Sequence, residues 1–62
     1  MQLPEIGKTY EKWGERREVI EIDTRNKPAF PDVIYRVQGE NRIKALWLPF
    51  WTQVMQDADI VA

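Results

Sequence analysis

Because the chain has no histidine, its carboxylates are the first side chains to consider for acid–base chemistry. Ten Asp and Glu residues and nine Lys and Arg residues occur in 62 positions, while Cys, His and Ser are absent. Disulfides, Cys/His zinc sites and Ser–His or Cys–His nucleophilic pairs need residues that the chain lacks. The carboxylates that lie closest in sequence form three pairs: Glu15 with Glu18, Glu21 with Asp23, and Asp57 with Asp59.

These acidic pairs do not predict an active site. General acid–base catalysis needs a carboxylate with a shifted pKa in a cleft, and nothing in the sequence places one in apolar surroundings. Asp57 and Asp59 also lack the third ligand and the glycine turn of a calcium loop. We therefore expect a non-enzymatic protein with no catalytic residue, no metal site and no small-molecule cofactor.

Composition narrows the expected partners and location. The net charge of −1 argues against a generally basic nucleic-acid binder and against a polybasic membrane anchor. The longest uncharged stretch, residues 45–56, contains Pro, Thr and two Gln, and is too short and too polar to span a membrane. No signal peptide is apparent at the start. We expect a cytoplasmic chain of one small domain, residues 1–62, with no membrane partner, of a size common among phage and mobile-element proteins.

Alternating residues predict four antiparallel strands, and residues 59–62 either add a short fifth strand or fray as a chain terminus. The cleanest alternation covers residues 32–38, followed by a turn at Gly39 and a partner strand over residues 42–48. Residues 8–13 and 17–23 predict two earlier strands. The neighbouring residues Val19 and Ile20 indicate a bulge or two-sided burial in the second strand. The alternative for this second segment is a helix over Glu15–Thr24.

The remaining segments predict a long loop and a short helix. Asn26 and two prolines break any strand over residues 24–32, so Phe30 lies near the tip of a loop. Pro49 suits the first turn of a helix. Phe50, Trp51, Val54 and Met55 would share one face of that helix.

Together these elements predict a mainly β fold: an SH3-like small barrel of four to five antiparallel strands with one short C-terminal helix. The alternative is an α+β fold in which a four-stranded sheet packs against one helix. With seven aromatic residues, three of them Trp, ring packing is expected to hold this small core together.

Four motifs carry a resemblance to a known family. They are Gly7-x-x-Tyr10, Gly14 ahead of Val19-Ile20, Val33-Ile34-Tyr35-Arg36, and Trp47 followed by Pro49 and aromatic residues. Their order, over about residues 6–55, resembles a family of short uncharacterised bacterial and prophage-type proteins with SH3-like barrels. The resemblance implies the barrel and carries no assigned reaction.

The excess of large rings favours an interaction module that binds a protein partner or forms a homo-oligomer. Aromatic and Met residues are enriched at the centres of interfaces, and one small core is not expected to hide every ring. The predicted partner-binding residues are Trp13, Phe30, Phe50 and Trp51. Trp47 is left open between core and interface.

The alternative function is a small nucleic-acid-binding barrel. Arg36, Arg42 and Lys44 lie on two adjacent predicted strands, and together with Tyr10 they would form a basic face with a stacking ring. Interleaved Glu residues favour a charge-paired outer sheet face instead.

Overall fold

The computed structural model describes residues 3–25 and 29–61 and shows a mainly β protein. The strands are β1 (Thr9–Lys12), β2 (Glu15–Asp23), β3 (Asp32–Val37), β4 (Ile43–Trp47) and β5 (Asp59–Ile60), and helix α1 (Leu48–Val54) lies between the last two. All five strands belong to one antiparallel sheet in the order β4-β3-β2-β1-β5. The predicted class, mainly β with four to five antiparallel strands and one short C-terminal helix, is confirmed, and the number of strands described is five.

The layers of the fold match the predicted alternative, in which a sheet packs against one helix. Strands β4 and β5 lie at the two edges of the sheet, and among the described residues no ladder joins these edges. Helix α1 covers one face of the sheet, which we call the inner face because it carries Val19 and Val33. The opposite face is called the outer face. The resemblance to SH3-like barrels stays a prediction.

Strand β2 contains the predicted irregularity. Val19 pairs with Tyr35 of β3, while Glu21 pairs with Ile34, so Ile20 is one extra residue on the β2 side. This β-bulge allows Val19 to be fully buried while Ile20 is only half-buried. Because β2 pairs with β1 on one side and with β3 on the other, the helical alternative for residues 15–24 is wrong.

The core forms where α1 lies on the inner face. Leu48, Trp51 and Met55 are spaced i, i+3 and i+7, so they project from one side of the helical segment. Trp51 is the central ring: its centroid lies 5.9 Å from that of Tyr10 at right angles and 5.3 Å from that of Tyr35. These side chains close over Val19 and Val33.

The structure shifts several predicted boundaries by one or two residues. The first strand ends at Lys12, which places Trp13 in the following turn, and the helix begins at Leu48 rather than at Pro49. The predicted loop over residues 24–32 includes residues 26–28, which lie outside the described residues, as does Ala62.

Candidate protein-binding site

Three aromatic rings lie together at one end of the sheet and form what we call the outer aromatic patch: Phe30, Trp47 and Phe50. The ring centroids are 5.7 Å apart for Phe30 and Trp47 and 5.5 Å apart for Trp47 and Phe50, both with edge-on geometry. Trp47 is half-buried between them, whereas Phe30 is 46% and Phe50 53% exposed. The patch therefore presents two open rings held by a third.

The strand register explains why Trp47 points outward. Leu46 pairs with Val33, whose side chain is buried on the inner face, so Trp47 is on the opposite face, where it pairs with Asp32. Leu48 then turns back into the core, and its backbone N–H donates to the carbonyl oxygen of Pro31 at 2.9 Å. This bond ties the start of α1 to the residue that follows Phe30.

A second hydrogen bond fixes the loop side of the patch. The indole Nε1–H of Trp47 donates to the backbone carbonyl oxygen of Phe30 at 3.0 Å. The backbone of Phe30 is thus held by a polar bond, and its ring by contact with Trp47. Along β4, Ile43 and Ala45 are exposed and lie on the same face as Trp47, so the apolar surface continues along this edge strand.

The structure places Trp13, another predicted contact residue, far from this patch. Trp13 is 75% exposed and lies in the turn between β1 and β2. That turn is at the end of the sheet where β3 ends and β4 begins, whereas Phe30 precedes β3 and Trp47 ends β4. Trp13 therefore belongs to a separate surface.

Trp51, the fourth predicted contact residue, lies in the core. It is 3% exposed and is packed between Tyr10 and Tyr35. Removing this ring from the core would leave a large cavity, so Trp51 is not an exposed anchor in this structure. Trp47, which the sequence leaves open between core and interface, belongs to the patch. The sequence pattern that indicates this is the alternation of its two neighbours, Leu46 and Leu48, toward the core.

A cleft of about 340 Å³ opens between the N-terminal segment, the C-terminal end of α1 and β5. Its apolar lining includes Pro4, Tyr10, Trp51 and Met55. The hydroxyl of Tyr10 accepts a hydrogen bond from the backbone N–H of Glu5 at 2.9 Å, which holds the N-terminal segment against β1. The cleft lies on the helix side of the sheet, because the core residues Trp51 and Met55 line it.

The predicted basic face does not form as one strip. Arg36 pairs across the hairpin with Ile43, so Arg36 is on the outer face, while Lys44 pairs with Tyr35 on the inner face. Arg36 also contacts Glu18 at 2.7 Å, and Lys44 contacts Glu40 at 3.3 Å. Tyr10 is half-buried against Trp51. Arg42 is exposed and immediately precedes β4.

The carboxylate pairs likewise do not come together in the cleft: Asp57 lines it, but its predicted partner Asp59 and the other two pairs do not. Glu15 contacts Arg17 at 2.7 Å, and Asp23 contacts Arg25 at 2.9 Å. Hydrogen bonds from the side chain and then the backbone of Arg25 lower the pKa of Asp23 to about 2, which is opposite to the shift a general acid needs near neutral pH.

Within residues 3–25 and 29–61, no three Asp or Glu side chains are grouped so that they could hold a metal ion. In the same part of the chain, no helix has the length and apolar character needed to cross a membrane. Comparisons with protein-family models, curated proteins and solved structures gave no match to this chain.

Proposed function

We propose that this chain is a small, non-enzymatic protein-binding module whose contact surface is the outer aromatic patch. The observation that carries the proposal is the exposure of Phe30 and Phe50 on either side of Trp47, which is half-buried and bonded to the loop. Rings fixed in this way lose little conformational entropy on binding, which favours their use as interface anchors.

The size of the patch fits the centre of an interface rather than the whole. An aromatic side chain buries about 150–250 Å², so two half-exposed rings supply roughly 200 Å². A specific interface covers about 800 Å² on each partner, with a polar rim around an apolar centre. Ile43 and Ala45 extend the apolar centre, and the outer-face ion pair of Arg36 with Glu18 supplies part of the rim.

The location on an edge of the sheet supports the same function. Strand β4 is an edge strand, and its outer-face residues carry no charge. Lys44 is the one charged residue of β4, and it is on the inner face. A partner that covers the outer aromatic patch would therefore meet an uncharged strip beside it.

Affinity capture from lysate of the native cells tests the proposal, run with and without nuclease so that proteins bridged by nucleic acid are recognised. The baits are the wild type, the double variant Phe30→Ser with Phe50→Ser, and the control Ile60→Ser. Ile60 is 59% exposed on β5, at the other edge of the sheet, so its replacement removes a similar apolar area away from the patch.

We expect a protein that the wild type and Ile60→Ser baits retain and the double variant loses. Calorimetry with that purified partner should then show at least about a 30-fold weaker affinity for the double variant. Equal retention by all three baits would contradict the proposal. Loss of every bound protein on nuclease treatment would instead favour nucleic-acid binding through Arg36, Arg42 and Lys44, and that binding should weaken steeply with salt.

A further inference from the structure

Trp13 occupies a backbone conformation that its residue type disfavours. The two-residue turn between Lys12 and Glu15 has positive φ at both central positions, +55° at Trp13 and +76° at Gly14. Such turns favour Asn or Asp at the first central position and Gly at the second, and a bulky residue with positive φ is an outlier. Trp13 is also 75% exposed, so the fold gains little burial from the ring. Strain held at an exposed ring points to a role outside the folded monomer.

Lys12 gives this exposed ring a cationic neighbour. The Nζ of Lys12 lies 4.9 Å from the centroid of the Trp13 ring and donates a hydrogen bond to the backbone carbonyl oxygen of Gln56. In the described ranges, 3–25 and 29–61, no carboxylate forms an ion pair with Lys12. A partner that receives Trp13 therefore gains from a carboxylate near the mouth of its pocket.

The cleft described above is apolar, carries carboxylates and lies beside the turn that holds Trp13. Trp51, Met55 and Tyr10 line it with apolar surface, and Glu5 and Asp57 add carboxylates, while no Lys or Arg among the residues that the structure describes lines it. Gln56, which accepts the bond from Lys12, is also part of the lining. The exposed ring and a cleft of complementary character are thus neighbours on one chain.

We propose that the chain forms a two-fold symmetric dimer in which Trp13 of each copy inserts into the cleft of the other. A two-fold interface is self-complementary, so a ring and a receptor that lie side by side satisfy both halves at once and close the assembly. Lys12 of one copy then faces Glu5 and Asp57 of the second. This inference is independent of the outer aromatic patch, which lies at the other end of the sheet.

The buried area sets the expected strength. Three quarters of a Trp side chain is roughly 110–190 Å², and two rings with the cleft surfaces they cover bury roughly 500–750 Å². This is below the 1,200 Å² or so of a stable complex, which places the dimer in the weak class. We expect it to be half-formed at about 0.1–1 mM protein.

Sedimentation equilibrium between about 10 µM and about 1 mM protein tests the proposal. The average mass of the wild type should rise from 7.4 kDa toward twice that value. The mass of Trp13→Asn should stay at the monomer value, because Asn suits the turn and lacks the ring. In nitrogen-15 NMR spectra, the indole signal that Trp13→Asn removes should shift with wild-type concentration.

The receptor side has a matched pair of variants on α1. Thr52 lines the cleft, whereas the neighbouring exposed residue Gln53 does not. Thr52→Arg should weaken the dimer at least about 10-fold by filling the cleft, while Gln53→Arg, which adds the same side chain and charge, should leave it unchanged. A wild type that is monomeric at about 1 mM would overturn the proposal. So would a dimer that persists in Trp13→Asn, or one that both Arg variants affect equally.

Discussion

From the positive φ of Trp13 we expect an effect on stability that does not depend on any partner. Trp13→Ala and Trp13→Asn both remove the ring and its contact with Lys12, so they differ mainly in how each residue tolerates φ of +55°. An ordinary L-residue pays about 1–2 kcal/mol in the left-handed region, whereas Asn enters it readily. We therefore expect Trp13→Asn to be about 1 kcal/mol more stable than Trp13→Ala.

Thermal unfolding followed by circular dichroism measures this difference, at a protein concentration low enough to keep the chain monomeric. For a domain of this size, 1 kcal/mol corresponds to a shift of about 4–8 °C in Tm. Trp13→Gly is the control, because Gly adopts positive φ without a side-chain clash. Its Tm should also be higher than that of Trp13→Ala. Equal Tm values for the Ala, Asn and Gly variants would refute the backbone conformation on which the argument rests.

Three further predictions concern the core, the turn between β3 and β4, and the dependence of stability on pH. Trp51 is 3% exposed, so Trp51→Ala should cost about 3–5 kcal/mol and abolish the near-ultraviolet dichroism of the core, whereas Phe50→Ala should cost less than about 1 kcal/mol. Gly39 has a φ of +90°, so in urea unfolding Gly39→Ala should lower the free energy of unfolding by about 1 kcal/mol and Gly39→Asn by less. The bond from Arg25 holds the pKa of Asp23 at about 2, below the unfolded value of about 3.9, so the pair stabilises the fold above pH 4 or so and this contribution is lost as pH falls through about 2. Asp23→Asn should therefore make acid unfolding in this pH range shallower.

The strand pattern was predictable because local sequence and burial agree there. In β3, Val33, Tyr35 and Val37 alternate toward the core exactly as the inner face requires, and Gly39 supplies the turn. The first hairpin was predicted less well because its turn does not contain the residue that such turns favour. A Trp at the first central position resembles a strand residue, so Trp13 was assigned to the first strand and not to the turn.

The helix shows why the binding residues were only partly predictable. When the helix is started at Pro49, Phe50 and Trp51 fall on one apolar face and are equally good anchors. The structure begins α1 at Leu48, and the row of Leu48, Trp51 and Met55 then faces the sheet while Phe50 points away from it. Which of two adjacent rings is buried depends on where the helix meets the inner face, and the bond from the backbone N–H of Leu48 to the carbonyl oxygen of Pro31 lies at that point.

The small core and the exposed rings have one common cause in the topology. A five-stranded sheet covered on one face by a seven-residue helix buries its core cluster beneath that helix, where Trp51 lies, and leaves the outer face open. Rings on the outer face and at the turns therefore stay at the surface unless a second molecule covers them. Because the outer aromatic patch and Trp13 lie at opposite ends of the sheet, a contact at one leaves the other accessible. A dimer formed through Trp13 would thus present two copies of the outer aromatic patch, and a partner with two matching sites would gain from the high effective concentration of the second.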